Sequence, residues 1–399
     1  MSENLPVPQG FRFASALARI KPTAQRPDVG LIVSEVPAAC AGVFTRNKVI
    51  AAPLQLTRPR IATGRCQAVL VNSGNANACT GAAGLEVARH SAAALAAELG
   101  LAEELVAVAS TGVIGVPLPL ERLTAVLAPL CADLAPDQAA AVAQAIMTTD
   151  SFSKMAARRL DAAGQQAVVL GLAKGAGMIH PNMATMLGFV LTDARLAPQL
   201  LDAMLRRAVD GSFNSISVDG DTSTNDLVLV LANGAAGEAE ILPGTAAAAA
   251  FQDALDAVLL DLAKMIVRDG EGATKLVRIQ LRGARDAAEA RQAAQAVATS
   301  NLVKTAFFGE DANWGRIIAA VGYSGAEVDP DRVDIFFDAV QVVRQGLTTG
   351  AEQEALATAV LKQPEFSVRI ELHQGDGVCD YYCSDLTYDY VKINADYRT

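Results

Sequence analysis

Aromatic residues, basic clusters and long apolar runs are all scarce in this 399-residue chain. Aromatics make up 5 % of the residues, and the formal net charge is −10. Nucleic-acid-binding domains usually carry a basic stripe. The most basic stretch, from Arg46 to Arg65, spaces its charges among apolar residues and has no aromatic ladder. The sequence therefore argues against nucleic acid as a partner.

Signals for membrane insertion or secretion are also missing. No apolar run reaches the ~18 residues that suggest a spanning helix. The start, "MSENLPVPQGF", has neither the basic nor the apolar region of a secretory signal. We expect a soluble, cytoplasmic protein with no membrane partner.

Cysteines are scattered and histidines are few. Only Cys379 and Cys383 are close, as C-x3-C, whereas zinc sites usually need two such pairs or a nearby histidine pair. His373 is the only histidine near them, so we expect two reduced cysteines in or beside a strand, no metal and no cofactor. With three histidines and no G-x-S-x-G elbow, a Ser-His-Asp triad is not favoured either.

Apolar residues are abundant, at 51 %, and alanine supplies many of them. Strand-like runs such as "VGLIVSEV" alternate with helical patterns, and the longest helix is predicted to begin after Thr245. These patterns predict an α/β or α+β fold with helices covering the sheet faces. The pattern restarts near residue 284, which predicts a catalytic core over 1–283 and a smaller α/β domain over 284–399. The final segment "TYDYVKI" is β-branched and aromatic, and this predicts a strand.

A glycine-containing loop joins two predicted strands, one ending at Lys174 and the next beginning near Thr185. If these strands are neighbours, both side chains lie at one edge of a sheet. A threonine hydroxyl is a weak nucleophile, but as the first residue of a chain its own α-amine, with a pKa of ~7.7–8.0, can act as the base. On local sequence alone, an ordinary strand threonine after a turn is the commoner explanation for Thr185.

Longer sequence blocks favour the role of Thr185 as a nucleophile. The chain resembles the ornithine acetyltransferase / glutamate N-acetyltransferase (ArgJ) family of arginine biosynthesis, block after block and in the family's order. The matching blocks are "PQGFRFASALARIKP", "AGVFTRNKVIAAP", "VLVNSGNANACTG", "ASTGVIG", "IMTTD", "KGAGMIHPNMATMLGFVLTDA", "SFNSISVDGDTSTND", "VRDGEGATK", "SNLVKTAFFGEDANWGRI" and "DLTYDYVKINADYRT".

The resemblance implies a self-processing acyltransferase. It implies a cut between Ala184 and Thr185 that leaves 184 and 215 residues, after which Thr185 accepts the acetyl group of N-acetylornithine and glutamate then takes it. The implied fold is a layered helix–sheet–sheet–helix sandwich of the N-terminal-nucleophile type. The implied assembly is a heterotetramer of two N-terminal and two C-terminal fragments. Whether acetyl-CoA is also a donor stays open.

The resemblance also implies the site residues. Thr111 and Gly112 match an oxyanion-hole pair, a hydroxyl and a backbone N–H. The positions that match substrate contacts are Thr148, Lys174, Thr185, Glu271, Asn394 and Thr399. Chemically, Lys174 suits an α-carboxylate and Glu271 suits the ornithine ammonium. A solvated strand end for Lys174 and a helix-terminal surface charge for Glu271 remain as alternatives on sequence alone.

Two alternatives remain at this point. An N-terminal-nucleophile aminopeptidase or amidase on a similar fold would pass the acyl group to water. A small-molecule binder without catalysis would keep the chain uncut. The tail block and "VRDGEGATK" argue against the first.

Overall fold

The computed structural model describes residues 5–162, 165–180, 186–237 and 239–396. Three residues of the predicted site, Ala184, Thr185 and Thr399, lie outside the described residues. The elements that surround them are described, and they define where the chain enters and leaves the predicted cleavage segment.

Strands and helices alternate along the chain, as the sequence predicts. The strands are β1 (Phe11–Ala16), β2 (Val29–Phe44), β3 (Arg65–Asn72), β4 (Val106–Ser110), β5 (Lys154–Ala162), β6 (Gln165–Lys174), β7 (Leu187–Thr192), β8 (Arg195–Leu196), β9 (Ile216–Ser217), β10 (Leu227–Ala232), β11 (Glu240–Ile241), β12 (Leu276–Ala284), β13 (Asp334–Phe337), β14 (Val340–Arg344), β15 (Leu347–Thr348), β16 (Glu365–Glu371) and β17 (Gly377–Ser384). The helices are α1 (Ala52–Ile61), α2 (Gly81–Leu99), α3 (Leu120–Ala125), α4 (Leu127–Ala132), α5 (Ala139–Ala145), α6 (Pro198–Asp210), α7 (Ala246–Arg268), α8 (Ala287–Thr299), α9 (Asn301–Phe308), α10 (Trp314–Gly322), α11 (Ala351–Leu361) and α12 (Tyr388–Asp396).

The larger sheet has the strand order β4-β3-β2-β10-β7-β6-β5, with β1 paired to β2 beside this path. Its strand β10 reads LVLVLA, and all six residues are buried. A continuous apolar run of this kind is typical of a strand covered on both faces.

Helices cover both faces of the larger sheet. Alternate residues of β7 point to opposite sides, so that Val190 packs with α6 and α7 while Phe189 packs with α1 and α5. Helix α7 begins where the sequence predicts, since the Thr245 hydroxyl accepts the Ala248 N–H at 3.2 Å. Each large apolar side chain buried in these layers contributes about 1.5–3 kcal/mol.

The smaller sheet has the order β15-β14-β13-β16-β12-β17-β9. Helices α8 to α11 pack against it in a separate apolar cluster. The mixed sheets with helical layers confirm the predicted α/β class. The predicted division between residues 283 and 284 falls at the end of β12 and remains a prediction.

Strands β6 and β7 are antiparallel neighbours, as the loop hypothesis requires. Lys174 is paired with Leu187, and Leu187 is paired in turn with Leu227 of the parallel strand β10. These residues form one row across three strands. Thr185 precedes Leu187 by two positions in the sequence, and Lys174 lies beside the start of β7.

The strand predicted for "TYDYVKI" is wrong, because this segment forms helix α12. The Thr387 hydroxyl accepts the Tyr390 N–H at 3.1 Å and thereby caps the first turn. Strand propensity depends on packing against neighbouring strands, and here Tyr388 and Val391 are exposed.

In the described ranges, no helix is long and apolar enough to cross a membrane.

Candidate active site

A cleft lies where strands β4 and β6 end and helix α12 approaches them. Six of the predicted site residues line this cleft: Thr111, Gly112, Thr148, Lys174, Glu271 and Asn394. They come from segments far apart in the chain, so the fold brings them together. The roles predicted for Ala184, Thr185 and Thr399 remain predictions, because these residues lie outside the described ones.

Lys174 is the last residue of β6, and its side chain is 3 % exposed. Burial lowers the pKa of its ammonium group, while the Asp150 carboxylate, 3.8 Å away, opposes that shift. Buried charges in proteins are usually paired. A small anionic ligand in the cleft would supply Lys174 with a second partner.

Asp150 organises this side of the cleft, and the sequence analysis did not identify it. One carboxylate oxygen accepts the Lys154 ammonium at 2.8 Å and the Gly175 N–H at 2.7 Å, and the other accepts the Thr148 N–H at 2.9 Å. Burial acts to raise the pKa of the Asp150 carboxyl, but Lys174 and Lys154 outweigh it and hold the pKa below its ordinary value. One carboxylate therefore fixes the backbone beside two predicted substrate contacts, Thr148 and Lys174.

The turn after β4 contributes Thr111 and Gly112. Asn225 donates from Nδ2 to the Ser110 carbonyl at 2.8 Å and so holds the peptide that precedes Thr111. Gly112 has a φ of +133°, and a Cβ at this position would lie 2.3 Å from the carbonyl carbon of Gly74. Only glycine fits such a close approach. The turn is thus a rigid mount for one hydroxyl and one backbone N–H on the wall of the cleft.

Three carboxylates also line the cleft, those of Asp219, Asp221 and Glu271. Asn394 of α12 donates from Nδ2 to Glu271 Oε2 at 2.8 Å. Lys174 is the one lysine or arginine among the described lining residues. A cleft with one buried cation and several carboxylates is complementary to a small molecule that carries both a carboxylate and an ammonium group.

Asp219 holds the turn that follows β6. Its carboxylate accepts the Met178 N–H at 2.6 Å and the Ile179 N–H at 2.8 Å. Burial raises the pKa of this carboxyl to about 6, against the opposing effect of the two N–H groups. Met178 has a φ of +57°, so the carboxylate stabilises a turn that most residues adopt reluctantly.

A model of the ArgJ family matches residues 12–399. The chain belongs to the ArgJ family. Two relatives, both called arginine biosynthesis bifunctional protein ArgJ, come from Syntrophotalea carbinolica and Geobacter sulfurreducens. They are 62 % identical over 392 residues and 56 % identical over 391 residues, and each alignment covers 98 % of this chain and 99 % of the relative.

A solved structure of an ArgJ protein also resembles this chain. The crystal structure of arginine biosynthesis bifunctional protein ArgJ from Bacillus halodurans is 46 % identical and has a TM-score of 0.51. The alignment covers 52 % of this chain and 98 % of the solved chain, so that solved chain is about half as long as this one.

Membership in the ArgJ family confirms the resemblance drawn from the sequence blocks. It also confirms the predicted class of function, an acetyltransferase of arginine biosynthesis, over the amidase and the non-enzymatic binder. The individual roles of the site residues stay predictions, and they are taken up as proposals below.

The residues missed from sequence share one feature of this ArgJ fold: they contact backbone groups far away in the chain. Asp219, Asn225 and Asp226 all lie in "SFNSISVDGDTSTND", one of the blocks that carry the family resemblance. A dense run of Asp, Ser, Thr and Asn directly before the fully buried strand β10 was the available signal. Such a run needs buried partners, because buried polar groups are almost always hydrogen-bonded.

Cys379 and Cys383 both lie in β17 as free thiols. Burial raises the pKa of the Cys383 thiol to about 11. Within the described part of the chain, no group of three or more His, Cys, Asp or Glu side chains is placed to hold a metal ion.

Proposed function

We propose that this ArgJ-family enzyme moves the acetyl group from N-acetylornithine to glutamate through an acetyl ester of Thr185. The observation that carries the proposal is the meeting of Thr111, Gly112 and Lys174 in one cleft. Strand β7 begins beside that cleft, two residues after Thr185, in the same row as Lys174.

The first step is cleavage of the chain by Thr185. Its hydroxyl adds to the Ala184 carbonyl carbon, the Ala184–Thr185 C–N bond breaks, and the amine nitrogen takes the proton. Water then hydrolyses the resulting ester, which frees the hydroxyl and leaves Thr185 with an α-amine that can act as its base. The half-length solved ArgJ chain supports a division of the polypeptide near its middle.

Acetyl transfer then uses the same hydroxyl. The α-amine takes its proton while the oxygen adds to the acetyl carbonyl of N-acetylornithine, and ornithine leaves with that proton. Thr111 and the Gly112 N–H donate to the tetrahedral oxyanion, and one such donor is typically worth ~3–4 kcal/mol of barrier. The glutamate amine next adds to the acetyl ester, and N-acetylglutamate leaves as the hydroxyl is restored.

Substrate recognition follows the charges of the cleft. Lys174 pairs with the α-carboxylate, and Glu271 pairs with the side-chain ammonium of N-acetylornithine. Thr148, Asn394 and Thr399 complete the contacts, and Asp219 and Asp221 add negative potential beside the ammonium. The 2.8 Å hydrogen bond from Asn394 to Glu271 supports this arrangement, because it orients the carboxylate before the substrate arrives.

A denaturing gel and amino-terminal sequencing test the cleavage. Wild-type protein should give fragments of ~19 and ~22 kDa, the larger one beginning at Thr185, since residue count sets fragment mass. Thr185→Ala should remain a single intact chain without activity, and Thr185→Ser should still cut, more slowly. Sequencing that finds only the original amino terminus in wild-type protein would sink the proposal and favour the uncut binder.

Product analysis with each donor offered alone tests the transfer. N-acetylornithine with glutamate should give N-acetylglutamate and ornithine in equal amounts, whereas release of free acetate that does not depend on glutamate would favour the amidase. The relatives are called bifunctional, which supports a second activity, and acetyl-CoA is the second donor to offer.

We further propose that the cut fragments stay together and pair into a heterotetramer in the cytoplasm. Strands β7 and β10, which follow the cut, lie between β2 and β6, which precede it. Separation would therefore break the middle of one sheet. Light scattering under native conditions should give twice the 41.4 kDa of one chain, and a mass of 41.4 kDa would leave the fragments associated but refute the tetramer.

A further inference from the structure

Asp226 is a buried carboxylate beside the cleft for which the chemistry above has no role. Its side chain is fully buried at the start of β10. One carboxylate oxygen, Oδ1, accepts the Met186 N–H at 3.0 Å. That nitrogen belongs to the peptide bond between Thr185 and Met186, so Asp226 contacts the peptide group of the proposed nucleophile.

The backbone holds Asp226 in place on both sides. Thr45 donates its N–H to the Asp226 carbonyl at 2.9 Å, and Leu227 donates its N–H to the Met186 carbonyl at 3.2 Å. A side chain that starts from a strand fixed in this way has little freedom to follow a moving peptide.

The neighbouring residue, Asn225, contacts the turn that carries Thr111 and Gly112, the proposed oxyanion donors. Its Nδ2 donates to the Ala76 carbonyl at 2.7 Å and to the Ser110 carbonyl at 2.8 Å. The dipeptide Asn225–Asp226 therefore connects the turn at Thr111 and Gly112, here called the oxyanion turn, to the peptide that follows the proposed nucleophile.

The electrostatic setting of Asp226 is unusual for a residue that only supports the fold. Its second oxygen, Oδ2, makes no hydrogen bond of ordinary geometry within the described ranges. Burial raises the pKa of the carboxyl well above its ordinary value, and the Ser223 hydroxyl, the Met186 N–H, Lys174 and the Thr45 hydroxyl offset only part of that shift. A buried polar atom without a partner is costly, and such a cost is typically tolerated where a site needs it.

We infer that Asp226 is a positioning residue, whose oxygen fixes the plane of the Thr185–Met186 peptide and so sets the direction from which the Thr185 hydroxyl attacks. The inference rests on the proposed role of Thr185 as nucleophile. The same peptide is held in self-cleavage and in acetyl transfer, so one side chain should govern the rates of both reactions. Binding of substrate should be unaffected, because Asp226 is not among the residues that line the cleft.

The test compares three variants with wild-type protein. Asp226→Ala removes the acceptor, while Asp226→Asn keeps an oxygen of the same shape for the Met186 N–H. The matched control is Asp193→Ala, at the other end of β7, where a buried carboxylate also accepts backbone N–H groups, in this case those of Val168 at 2.7 Å and Gln9 at 2.9 Å. Cleavage is followed in time on denaturing gels after cell-free synthesis, and transfer is measured as kcat and KM for N-acetylornithine.

Asp226→Ala should slow both reactions by about 100-fold, because a small misplacement of a reacting group costs a factor of this size. KM should stay within about threefold, since the lost contact is not with substrate. Asp226→Asn should keep both rates within about threefold of wild type. Asp193→Ala should lower thermal stability while leaving kcat unchanged.

Two results would overturn the inference. Equal kcat values for Asp226→Ala and Asp193→Ala would make Asp226 an ordinary structural carboxylate. A loss in Asp226→Asn as large as about 100-fold would mean that the acid itself is required rather than its oxygen, and this isosteric variant gives that answer even if Asp226→Ala fails to fold. If Thr185→Ala still cuts and transfers, the proposed function fails instead, and the inference falls with it.

Discussion

At the scale of single residues, the cleft depends on groups that make close contact with backbone. The Thr111 hydroxyl and the Gly112 N–H share one short turn, and that turn packs against Gly74 so tightly that a side chain at residue 112 has no room. Donors held in this way need no rearrangement when negative charge develops on a reacting oxygen. The Thr111 donor is a side-chain hydroxyl that substitution by alanine removes, whereas the Gly112 donor is a backbone N–H that the same substitution can only displace. Each donor therefore has its own experiment.

Thr111→Ala removes the hydroxyl donor and leaves the turn intact. We expect kcat to fall by ~10²–10³ with little change in KM, as for a contact made only in the transition state. Steady-state kinetics with N-acetylornithine measures both constants. A loss confined to KM would assign Thr111 to substrate binding instead.

Gly112→Ala places a Cβ 2.3 Å from the Gly74 carbonyl carbon and 2.4 Å from the Asn75 nitrogen. We expect the turn to shift, with at least a ~100-fold loss of kcat from the displaced donors. The control is Gly115→Ala in the same loop, which also has a positive φ, +80°, but has open space around its Cβ position. That control should cost about 1 kcal/mol of stability and little activity, and similar kinetics for the two variants would contradict the tight-turn account.

At the scale of elements, helix α12 is the part of the structure that the site needs and the fold does not. It has no buried residue, and yet Tyr390 and Asn394 line the cleft. Thr387 ties the start of the helix to the Gly272 carbonyl at 2.7 Å, next to Glu271. The helix therefore lies across the proposed ammonium site, where its loss would change binding rather than folding.

Deletion of residues 394–399 should leave the unfolding free energy within about 0.5 kcal/mol of wild type, because chain termini usually contribute little to stability. Self-cleavage should proceed normally, since the loop and the oxyanion turn are untouched. KM for N-acetylornithine should rise at least tenfold, as a polar contact to a charged group is worth ~1.5–3 kcal/mol. Lys392→Ala, on the same helix outside the lining of the cleft, is the control, and an unchanged KM in the deletion would remove Asn394 and Thr399 from the site.

At the scale of the whole molecule, the larger sheet joins the two sides of the predicted cut, and buried charges tie the cleft to the core. Lys154, Asp150 and Asp269 form a buried ion-pair cluster with contacts of 2.8 and 2.5 Å. Asp219 is the buried carboxyl of the cleft whose pKa, at about 6, lies in an accessible range. The pH dependence of unfolding should report on it.

The sign of that dependence follows from the raised pKa of Asp219. An unfolded aspartate titrates near ~3.9, so the folded state binds more protons between about pH 4 and 6. The contribution of Asp219 to stability is then greatest below pH 4, and it is lost as the pH rises through 6.

Asp219→Asn should therefore gain stability relative to wild type on going from pH 4 to pH 7, by up to about 3 kcal/mol. Any loss of a hydrogen bond to Met178 or Ile179 is the same at both pH values and cancels in the comparison. Denaturant unfolding of both proteins at the two pH values measures the difference, with Asp221→Asn, at an exposed position, as the control. A difference that does not change with pH would contradict the raised pKa.

Local sequence was sufficient for features that depend on neighbours along the chain. The apolar run "VGLIVSEV", which lies in β2, and the Thr245 cap predicted their own elements. The blocks around Thr111 and Lys174 predicted the family and the cleft residues that the fold brings together. Strand and helix periodicity carry this information because they reflect which face of each element is buried.

Tertiary structure decided the rest. Asp150, Asn225 and Asp226 act through partners brought close only when β4, β6, β7 and β10 come together. The polar run before β10 signals that Asn225 and Asp226 need buried partners, but no spacing in the sequence identifies those partners. "TYDYVKI" has strand propensity and becomes a helix, because Thr387 caps it and no neighbouring strand covers Tyr388 and Val391, which are exposed. Sequence by itself determined the family and most of the elements, and it predicted the reacting groups. Folding determined which backbone groups surround the cleft, because the energy of a buried hydrogen bond depends on partners that only packing supplies.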